Sequence, residues 1–345
     1  MAVITIIGSG MMGSALAFPA RENGHEVRLV GTHLDKDIIA ACKETDTHPK
    51  FDRPFPAGVK YYFSEEADEA IAGCDFVICG VSSFGVEWFA ENMLPRLPEE
   101  VPVLSVTKGL YDLADGSFMT YPDYWKREMK NRGRKLNVNA IGGPCTSYEL
   151  VAHDHSCVTF CGEDEETLRF LKACMRTDYY HISLSTDVAG IESAVALKNG
   201  YALGVALTIG ANRKAFGNDT LHYNSQAGVF GQAVKEMREL LKMIAGSDET
   251  LPVGAGDLYV TVYGGRTRLV GILLGEGLSI GEALEKLKGV TLESLVIAKR
   301  VNTALLRRFT PAALAEKFPL LAHVAKLIAG EQASIPWEKF TADTF

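Results

Sequence analysis

A glycine-rich turn near the start of the chain has the spacing that binds a dinucleotide. The motif GSGMMG at residues 8–13 directly follows an apolar run and opens a helical pattern. In this context Gly8 permits the tight turn, Gly10 lets the backbone approach a pyrophosphate, and Gly13 lets the helix pack on the strand. A purely structural turn is the alternative. Free N–H groups at the helix start attract phosphate, so the predicted cofactor contacts here are Gly8, Gly10, Met11, Met12 and Gly13.

The residues after the second predicted strand bear on the choice between NAD and NADP. An acidic side chain at the end of this strand binds the ribose 2′-hydroxyl of NAD, but the expected position is Gly31. The side chains that follow can accept the 2′-phosphate of NADP, and these are Thr32, His33 and Lys36. The sequence therefore favours NADP. NAD stays open, because Asp35 or Asp37 can bind the ribose if the loop curls back.

A lysine on an apolar helix face is the first candidate for acid–base chemistry. In the segment GIESAVALKNGYALGV, apolar residues recur with helical spacing, and Lys198 lies on their face. Lysine is rarely buried without a partner, and burial favours its neutral form and lowers its pKa. Such an amine can exchange a proton near neutral pH. The alternative is a lysine whose stem covers apolar surface while its ammonium reaches water.

The elements that must position these residues divide the chain into two parts. In the first part, short apolar runs alternate with helical patterns, as is typical of a parallel sheet covered on both faces. Strands are predicted at 3–7, 26–30, 75–80, 103–106, 136–141, 157–161 and 180–184, the last two closing one edge. Helices dominate the second part, at 197–209, 227–244, 281–287, 292–306 and 320–328.

These patterns predict an α/β Rossmann-type doubly wound domain over residues 1–188, followed by an all-α C-terminal domain over residues 189–345. Glycines interrupt the two elements around Asp257 and Gly265, and we expect a functional loop there instead of a core helix.

Composition excludes several classes of function. The net charge of −8 argues against a nucleic-acid partner. Seven cysteines without CxxC spacing argue against a disulfide framework or a zinc ribbon and are typical of a cytoplasmic protein. His153-Asp154-His155 lacks a third ligand in register, so no metal is expected. No segment is expected to span a membrane, since the apolar stretch 190–210 contains charged residues. The composition is compatible with a protein that forms a homodimer.

Several short motifs, spread over nearly the whole chain, resemble those of NAD(P)-dependent glycerol-3-phosphate dehydrogenases. They are the GSGMMG turn, Thr107-Lys108-Gly109, Gly143-Pro144 with Glu149, Asp187 to Glu192 leading into Ala196-Leu197-Lys198-Asn199, Gly256-Asp257-Leu258, Gly264-Gly265-Arg266 and Lys317 to Leu320. The stretch from Gly31 to Pro49 looks most like archaeal-type members, which are similar in preferring NADP.

The resemblance implies a role for each matching residue. Lys108 would hold the reacting oxygen, Lys198 would be the general base, and Asp257 would line the site. A carboxylate at Asp257 can also pair with Lys198 and orient it, and an ordinary surface ion pair is the alternative for Asp257 and Arg266. The residues implied in substrate binding are Asn199, Thr261, Arg266 for the phosphate of a small phosphorylated substrate, and Thr267. Glu293 would lie near the nicotinamide end of the cofactor.

The chain departs from the family pattern where substrate or active-site packing is set. Thr267 replaces an asparagine, and Gly231-Gln232 replaces Thr-Arg. Ser147 replaces an alanine, and Ser294 a glycine. A dehydrogenase of the same superfamily acting on another phosphorylated or acidic ketone therefore stays open, as does a dinucleotide sensor that has lost turnover.

Overall fold

The computed structural model describes residues 1–290 and 292–341, and of residues 293 and 294 it describes the backbone. The strands are β1 (Val3–Ile7), β2 (Glu26–Val30), β3 (Lys60–Tyr62), β4 (Phe76–Cys79), β5 (Val103–Ser105), β6 (Leu110–Asp112), β7 (Phe118–Thr120), β8 (Val138–Gly142), β9 (Ser156–Cys161) and β10 (Tyr180–Ser185). The α-helices are α1 (Met11–Glu22), α2 (Lys36–Thr45), α3 (Ala67–Ile71), α4 (Val86–Asn92), α5 (Tyr121–Asn131), α6 (Ser147–Val151), α7 (Glu165–Met175), α8 (Val188–Phe216), α9 (Tyr223–Ala245), α10 (Leu251–Gly264), α11 (Thr267–Gly275), α12 (Ile280–Lys286), α13 (Glu293–Leu306), α14 (Pro311–Lys317), α15 (Pro319–Ile328) and α16 (Trp337–Phe340).

The chain forms two compact units and contributes two segments to each. The first unit comprises Met1–Lys108 and Thr120–Glu192, and the second comprises Gly109–Met119 and the chain from Ser193 onward. The chain therefore passes into the second unit within α8, and the division predicted at residue 188 stays a prediction. No sequence pattern indicated that residues 109–119 group with the helical part.

The first unit is built on an eight-stranded sheet with the order β10-β9-β8-β5-β4-β1-β2-β3. All neighbouring strands are parallel except the β8–β9 pair. The strand order reverses at β1, between β2 and β4, and in doubly wound sheets ligands bind at the carboxyl ends of the strands at such a switch point. All seven predicted strands are confirmed, and β9 and β10 lie at one edge as expected.

The second unit is mostly helical, as predicted, and the five predicted helices lie within or beside observed ones. The expectation of a functional loop around Asp257 and Gly265 is wrong. Residues 251–264 form α10, residues 267–275 form α11, and Asp257 is fully buried. The loop between these helices is limited to Gly265 and Arg266.

Close helix packing explains the glycines that suggested a loop. A Cβ on Gly254 would lie 2.9 Å from the carbonyl oxygen of Ala194 in α8, and a Cβ on Gly271 would lie 2.5 Å from that of Leu203. Glycine lowers the helix propensity of a segment. Here it instead lets α10 and α11 approach the backbone of α8 more closely than any other residue would allow.

By length and composition alone, helix α8 is apolar enough to cross a membrane, with a mean hydropathy of 1.3, so the charged residues in the stretch 190–210 do not exclude it as a candidate. However, 89% of the apolar window is buried inside the protein. A central core helix meets the same two criteria, and this burial identifies α8 as one.

Candidate active site

The glycine-rich turn joins β1 to α1 at the switch point of the sheet. Gly8 has a φ of +105°, a conformation that favours glycine. A Cβ on Gly13 would lie 2.2 Å from the carbonyl oxygen of Gly8, and one on Gly8 would lie 2.7 Å from the carbonyl carbon of Gly80. Gly80 follows β4, the strand beside β1, and its part in this turn was not predicted. Three glycine backbones therefore pack directly on one another and fix the turn.

The start of α1 has the features of an anion site. Gly10 caps the helix without any side-chain hydrogen bond, and its first turn carries no acidic residue. Met11 and Met12 are the first helical residues, and their half-buried side chains pack on the core of the unit. The first turn of α1 therefore contributes no carboxylate of its own to neutralise its N–H groups and positive dipole end, and these groups suit a pyrophosphate.

Gly10 and Gly13 should respond differently to the same substitution. A Cβ on Gly10 would meet its nearest protein atom at 4.0 Å, so we expect Gly10→Ala to keep the melting temperature while raising the KM for NAD(P)H at least tenfold. Gly13→Ala, which clashes with backbone, should lower both stability and cofactor affinity. Thermal unfolding and cofactor titration of the two variants measure this. An unchanged KM in Gly10→Ala would show that no phosphate approaches this backbone.

The loop after β2 curls back toward the glycine-rich turn. The carboxylate of Asp35 accepts hydrogen bonds at 2.8 Å from both the backbone N–H and the hydroxyl of Thr32, and one at 3.3 Å from the N–H of Ser9. Thr32 is half-buried, whereas His33 is exposed and its ring centroid lies 5.4 Å from that of Trp88. Asp35 thus ties the loop to the turn, in the curled geometry that the NAD alternative requires.

A buried histidine supports the same turn from the other side. The Nε2 atom of His48 lies 3.2 Å from the carbonyl oxygen of Ser9, and its Nδ1 accepts a hydrogen bond from the N–H of Lys50 at 3.1 Å. With Nδ1 as acceptor, Nε2 carries the proton and donates it to Ser9. Burial lowers the pKa of His48, which favours this neutral form. Sequence reasoning missed this contact, because 39 residues separate the partners.

The lysine predicted to hold the reacting oxygen lies in the first unit. Lys108 follows β5, is half-buried, and donates a hydrogen bond from Nζ to the carbonyl oxygen of Gly143 at 3.1 Å. Gly143 has a φ of +115°, which favours glycine. The neighbouring Thr107 hydroxyl donates to the carbonyl oxygen of Val81 at 2.7 Å and anchors the loop. The ammonium of Lys108 is thus positioned by backbone groups.

The second unit contains a buried ion pair between Lys198 on α8 and Asp257 on α10. The Lys198 Nζ donates to Asp257 Oδ1. The side chain of Asp257 is 1% exposed and that of Lys198 is 10% exposed, so the ammonium is held inside the fold. A carboxylate in this setting is stable only with such a partner. The alternative of a lysine that reaches water is therefore wrong.

The residues predicted to bind substrate lie near Lys198 or Asp257 in the sequence, and they differ in how deeply they are buried. Asn199 is half-buried beside Lys198, and the hydroxyl of Thr261 donates to the carbonyl oxygen of Asp257 at 2.7 Å. Arg266 is exposed and directly precedes α11, whose first residue, Thr267, is buried. The exposed guanidinium and the start of α11 therefore lie next to each other.

One departure from the family pattern has a structural explanation. The side-chain amide of Gln232 donates to Glu236 at 2.7 Å. Glu236 also accepts from the backbone N–H groups of Leu320 at 2.7 Å and Leu321 at 3.0 Å, and from the hydroxyl of Tyr201 at 3.1 Å. Gln232 thus belongs to a buried network that caps α15, so its presence does not itself indicate a changed substrate.

The predicted site residues fall into separate groups. The turn residues, Thr32, His33 and Lys108 belong to the first unit, whereas Lys198, Asn199, Asp257, Thr261, Arg266 and Thr267 belong to the second. That residues of both groups act on the same substrate molecule remains a prediction. The side chain of Glu293 lies outside the described residues.

Comparison with known proteins gives matches along nearly the whole chain. Residues 3–168 match the family model of the NAD-dependent glycerol-3-phosphate dehydrogenase N-terminus, and residues 187–335 match that of the C-terminus. An NADP(+)-dependent glycerol-3-phosphate dehydrogenase of Archaeoglobus fulgidus is 33% identical over 289 residues, which cover 83% of this chain and 84% of the relative.

A bacterial relative and a solved structure agree with these matches. A glycerol-3-phosphate dehydrogenase of Leuconostoc citreum, named for NAD(P)+, is 27% identical over 308 residues, 87% of each chain. The structure of a Plasmodium falciparum glycerol-3-phosphate dehydrogenase superimposes with a TM-score of 0.83, covering 100% of this chain and 96% of that one. Its 18% identity shows a shared fold only.

Proposed function

Because this chain belongs to the NAD-dependent glycerol-3-phosphate dehydrogenase family, we propose that it transfers hydride between NAD(P)H and dihydroxyacetone phosphate, giving sn-glycerol 3-phosphate. The observation that carries this proposal is the buried Lys198–Asp257 pair, which places a proton donor on a carboxylate inside the fold. The cofactor supplies the hydride when bound. Side chains of this protein transfer the proton and stabilise the charge that develops on the substrate oxygen.

In this proposal two lysines act on the reacting oxygen of the substrate, one as proton donor and the other as a stabilising positive charge. As the ketone is reduced, its oxygen gains negative charge and needs a proton. The ammonium of Lys198 donates that proton in the direction of reduction, and the resulting amine accepts it back in the direction of oxidation. Asp257 orients Lys198. Lys108 stabilises the developing alkoxide by its positive charge.

The phosphate of the substrate is assigned to Arg266. This guanidinium is exposed and directly precedes the first turn of α11, and a helix start attracts anions. Arginine binds phosphate with two parallel hydrogen bonds. Arg266 and the start of α11 together form a phosphate subsite of the kind that a three-carbon phosphorylated ketone requires.

We expect Arg266→Ala to raise the KM for dihydroxyacetone phosphate by about tenfold to a hundredfold, because a hydrogen bond to a charged group contributes about 1.5–3 kcal/mol. The kcat/KM for unphosphorylated dihydroxyacetone should not change. Arg238→Ala, which removes an exposed arginine on α9, is the matched control. Steady-state kinetics on both substrates measure the difference. An equal loss on both substrates would contradict a phosphate role for Arg266.

The turn residues and the start of α1 would hold the cofactor pyrophosphate, with Thr32 and His33 near its ribose. We propose a preference for NADP. The position for a ribose acid at the end of β2 is Gly31, and the Oδ2 atom of Asp35 already accepts three hydrogen bonds from protein groups. The NADP(+)-dependent relative supports this preference. Initial rates with NADH and NADPH, measured side by side, decide it.

We propose the cytoplasm as the location of the protein. All seven cysteines are free thiols, which suits a reducing compartment.

That the protein forms a homodimer remains a prediction, and light scattering of the purified protein would test it.

A further inference from the structure

The backbone of Ser9, inside the glycine-rich turn, is held by three side chains. Its carbonyl oxygen accepts hydrogen bonds from the hydroxyl of Ser14 at 3.1 Å and from the Nε2 atom of His48 at 3.2 Å. Its N–H donates to the carboxylate of Asp35 at 3.3 Å. Ser9, Ser14 and His48 are almost completely buried. Side chains therefore fix the orientation of both peptide groups next to Ser9.

The ring of His48 is itself held in one orientation. It is 1% exposed, its centroid lies 4.6 Å from that of Phe51, and its Nδ1 atom accepts from the N–H of Lys50 at 3.1 Å. An Nδ1 atom that accepts a hydrogen bond carries no proton, so the proton of the neutral ring is on Nε2, which faces Ser9. His48 is therefore a rigid donor to the carbonyl group of Ser9.

The direction of the Ser9 carbonyl group determines the direction of the next N–H group. The described residues contain no cis peptide bond. In a planar trans peptide, the C=O of one residue and the N–H of the next point in opposite directions. Because the C=O of Ser9 points towards His48, the N–H of Gly10 points away from it. A Cβ on Gly10 would meet the nearest atom of another segment only at 4.0 Å, so a ligand atom can approach this residue.

We propose that His48 is a positioning residue for the dinucleotide, which directs the N–H of Gly10 towards the cofactor pyrophosphate by holding the C=O of Ser9. This inference rests on the cofactor site proposed above. An N–H group at a helix start binds phosphate well only when it points at the phosphate oxygen. Without the donor at residue 48, the peptide group between Ser9 and Gly10 is held less firmly, and cofactor binding must include the entropic cost of ordering it.

The test compares His48→Gln with His48→Leu by titrating the purified full chain with NADPH in the absence of substrate. The side-chain amide of Gln can donate to Ser9 as Nε2 does, whereas Leu fills the space and donates nothing. We expect the Kd for NADPH to rise about tenfold in His48→Leu, as for the loss of one hydrogen bond to a charged group, and to stay within about threefold of the wild-type value in His48→Gln. An unchanged Kd in folded His48→Leu would overturn the proposal.

Two further measurements separate positioning from a general loss of structure. His25→Leu removes another histidine of the same unit, whose Nδ1 atom accepts from the N–H of Ala2 at 3.1 Å. This control should keep the wild-type Kd, whatever its effect on the melting temperature. Adenosine 2′-phosphate has no pyrophosphate, so it should bind His48→Leu as tightly as it binds the wild type. Equal weakening of both ligands in His48→Leu would contradict a role directed at the pyrophosphate.

These outcomes are distinct from those that test the proposed function. A protein that binds NADPH and responds to His48→Leu as expected, but does not reduce dihydroxyacetone phosphate, would contradict the proposed function and support the inference. An active enzyme whose Kd for NADPH does not change in His48→Leu would overturn the inference alone. If His48→Leu does not fold, His48→Asn takes its place, because its shorter amide stops short of Ser9.

Discussion

Lys198→Arg should fold like the wild type, but its kcat should fall by about 10²- to 10⁴-fold. This is the factor that a positioned acid or base usually contributes to the rate. Arginine keeps the positive charge that the buried carboxylate of Asp257 requires. However, a guanidinium does not give up its proton in proteins, so it cannot complete the proton transfer. The variant therefore separates the charge of this side chain from its acid–base chemistry.

Two control variants make this test decisive. Lys235→Arg, at an exposed lysine on α9 of the same unit, should retain full activity. Lys198→Met should lose activity and also stability, because a buried ion left without its partner costs about 3–5 kcal/mol. Thermal unfolding and steady-state kinetics distinguish these effects. Wild-type kcat in a folded Lys198→Arg enzyme would contradict the role of Lys198 as proton donor.

Glu236→Ala should lower the free energy of unfolding by about 4 kcal/mol or more. Its carboxylate accepts four hydrogen bonds, two of them from the first backbone N–H groups of α15. Each buried donor left unsatisfied costs about 1–3 kcal/mol, although the costs do not simply add. Because Glu236 on α9 accepts hydrogen bonds from groups of α8 and α15, its removal should loosen the packing of all three helices.

The control for this prediction lies on the same helix. Glu239 is half-buried, and its nearest charged partners, Arg238 and Lys242, lie 3.6 and 3.7 Å away. Surface pairs of this kind contribute at most about 1 kcal/mol, so Glu239→Ala should have a small effect. Denaturant unfolding gives both values. Equal losses in the two variants would show that the buried network does not stabilise the second unit.

The sequence predicted those parts of the fold that depend on local pattern. The central strands β4, β5 and β8 are buried on both faces and therefore appear as continuous, mostly apolar runs. The dinucleotide turn was also predictable, because its glycines, strand and helix are adjacent in the chain. Helices α10 and α11 were not, because their glycines are explained only by the approach of α8.

Features that depend on distant contacts were missed for the same reason. Gly80 and His48 support the glycine-rich turn from other segments of the chain, and the carbonyl of Gly143 positions Lys108. Periodicity placed Lys198 on an apolar face but left its environment open. Only the fold, which brings Asp257 next to it, shows a buried ion pair.

The most direct test of the proposed function is to incubate the purified full chain with NADPH and dihydroxyacetone phosphate and to identify the product by a stereospecific assay. We predict that one sn-glycerol 3-phosphate forms for each NADPH oxidised, and that Lys198→Arg forms almost none. Cofactor binding without oxidation of NADPH or NADH, or formation of the opposite enantiomer, would contradict it.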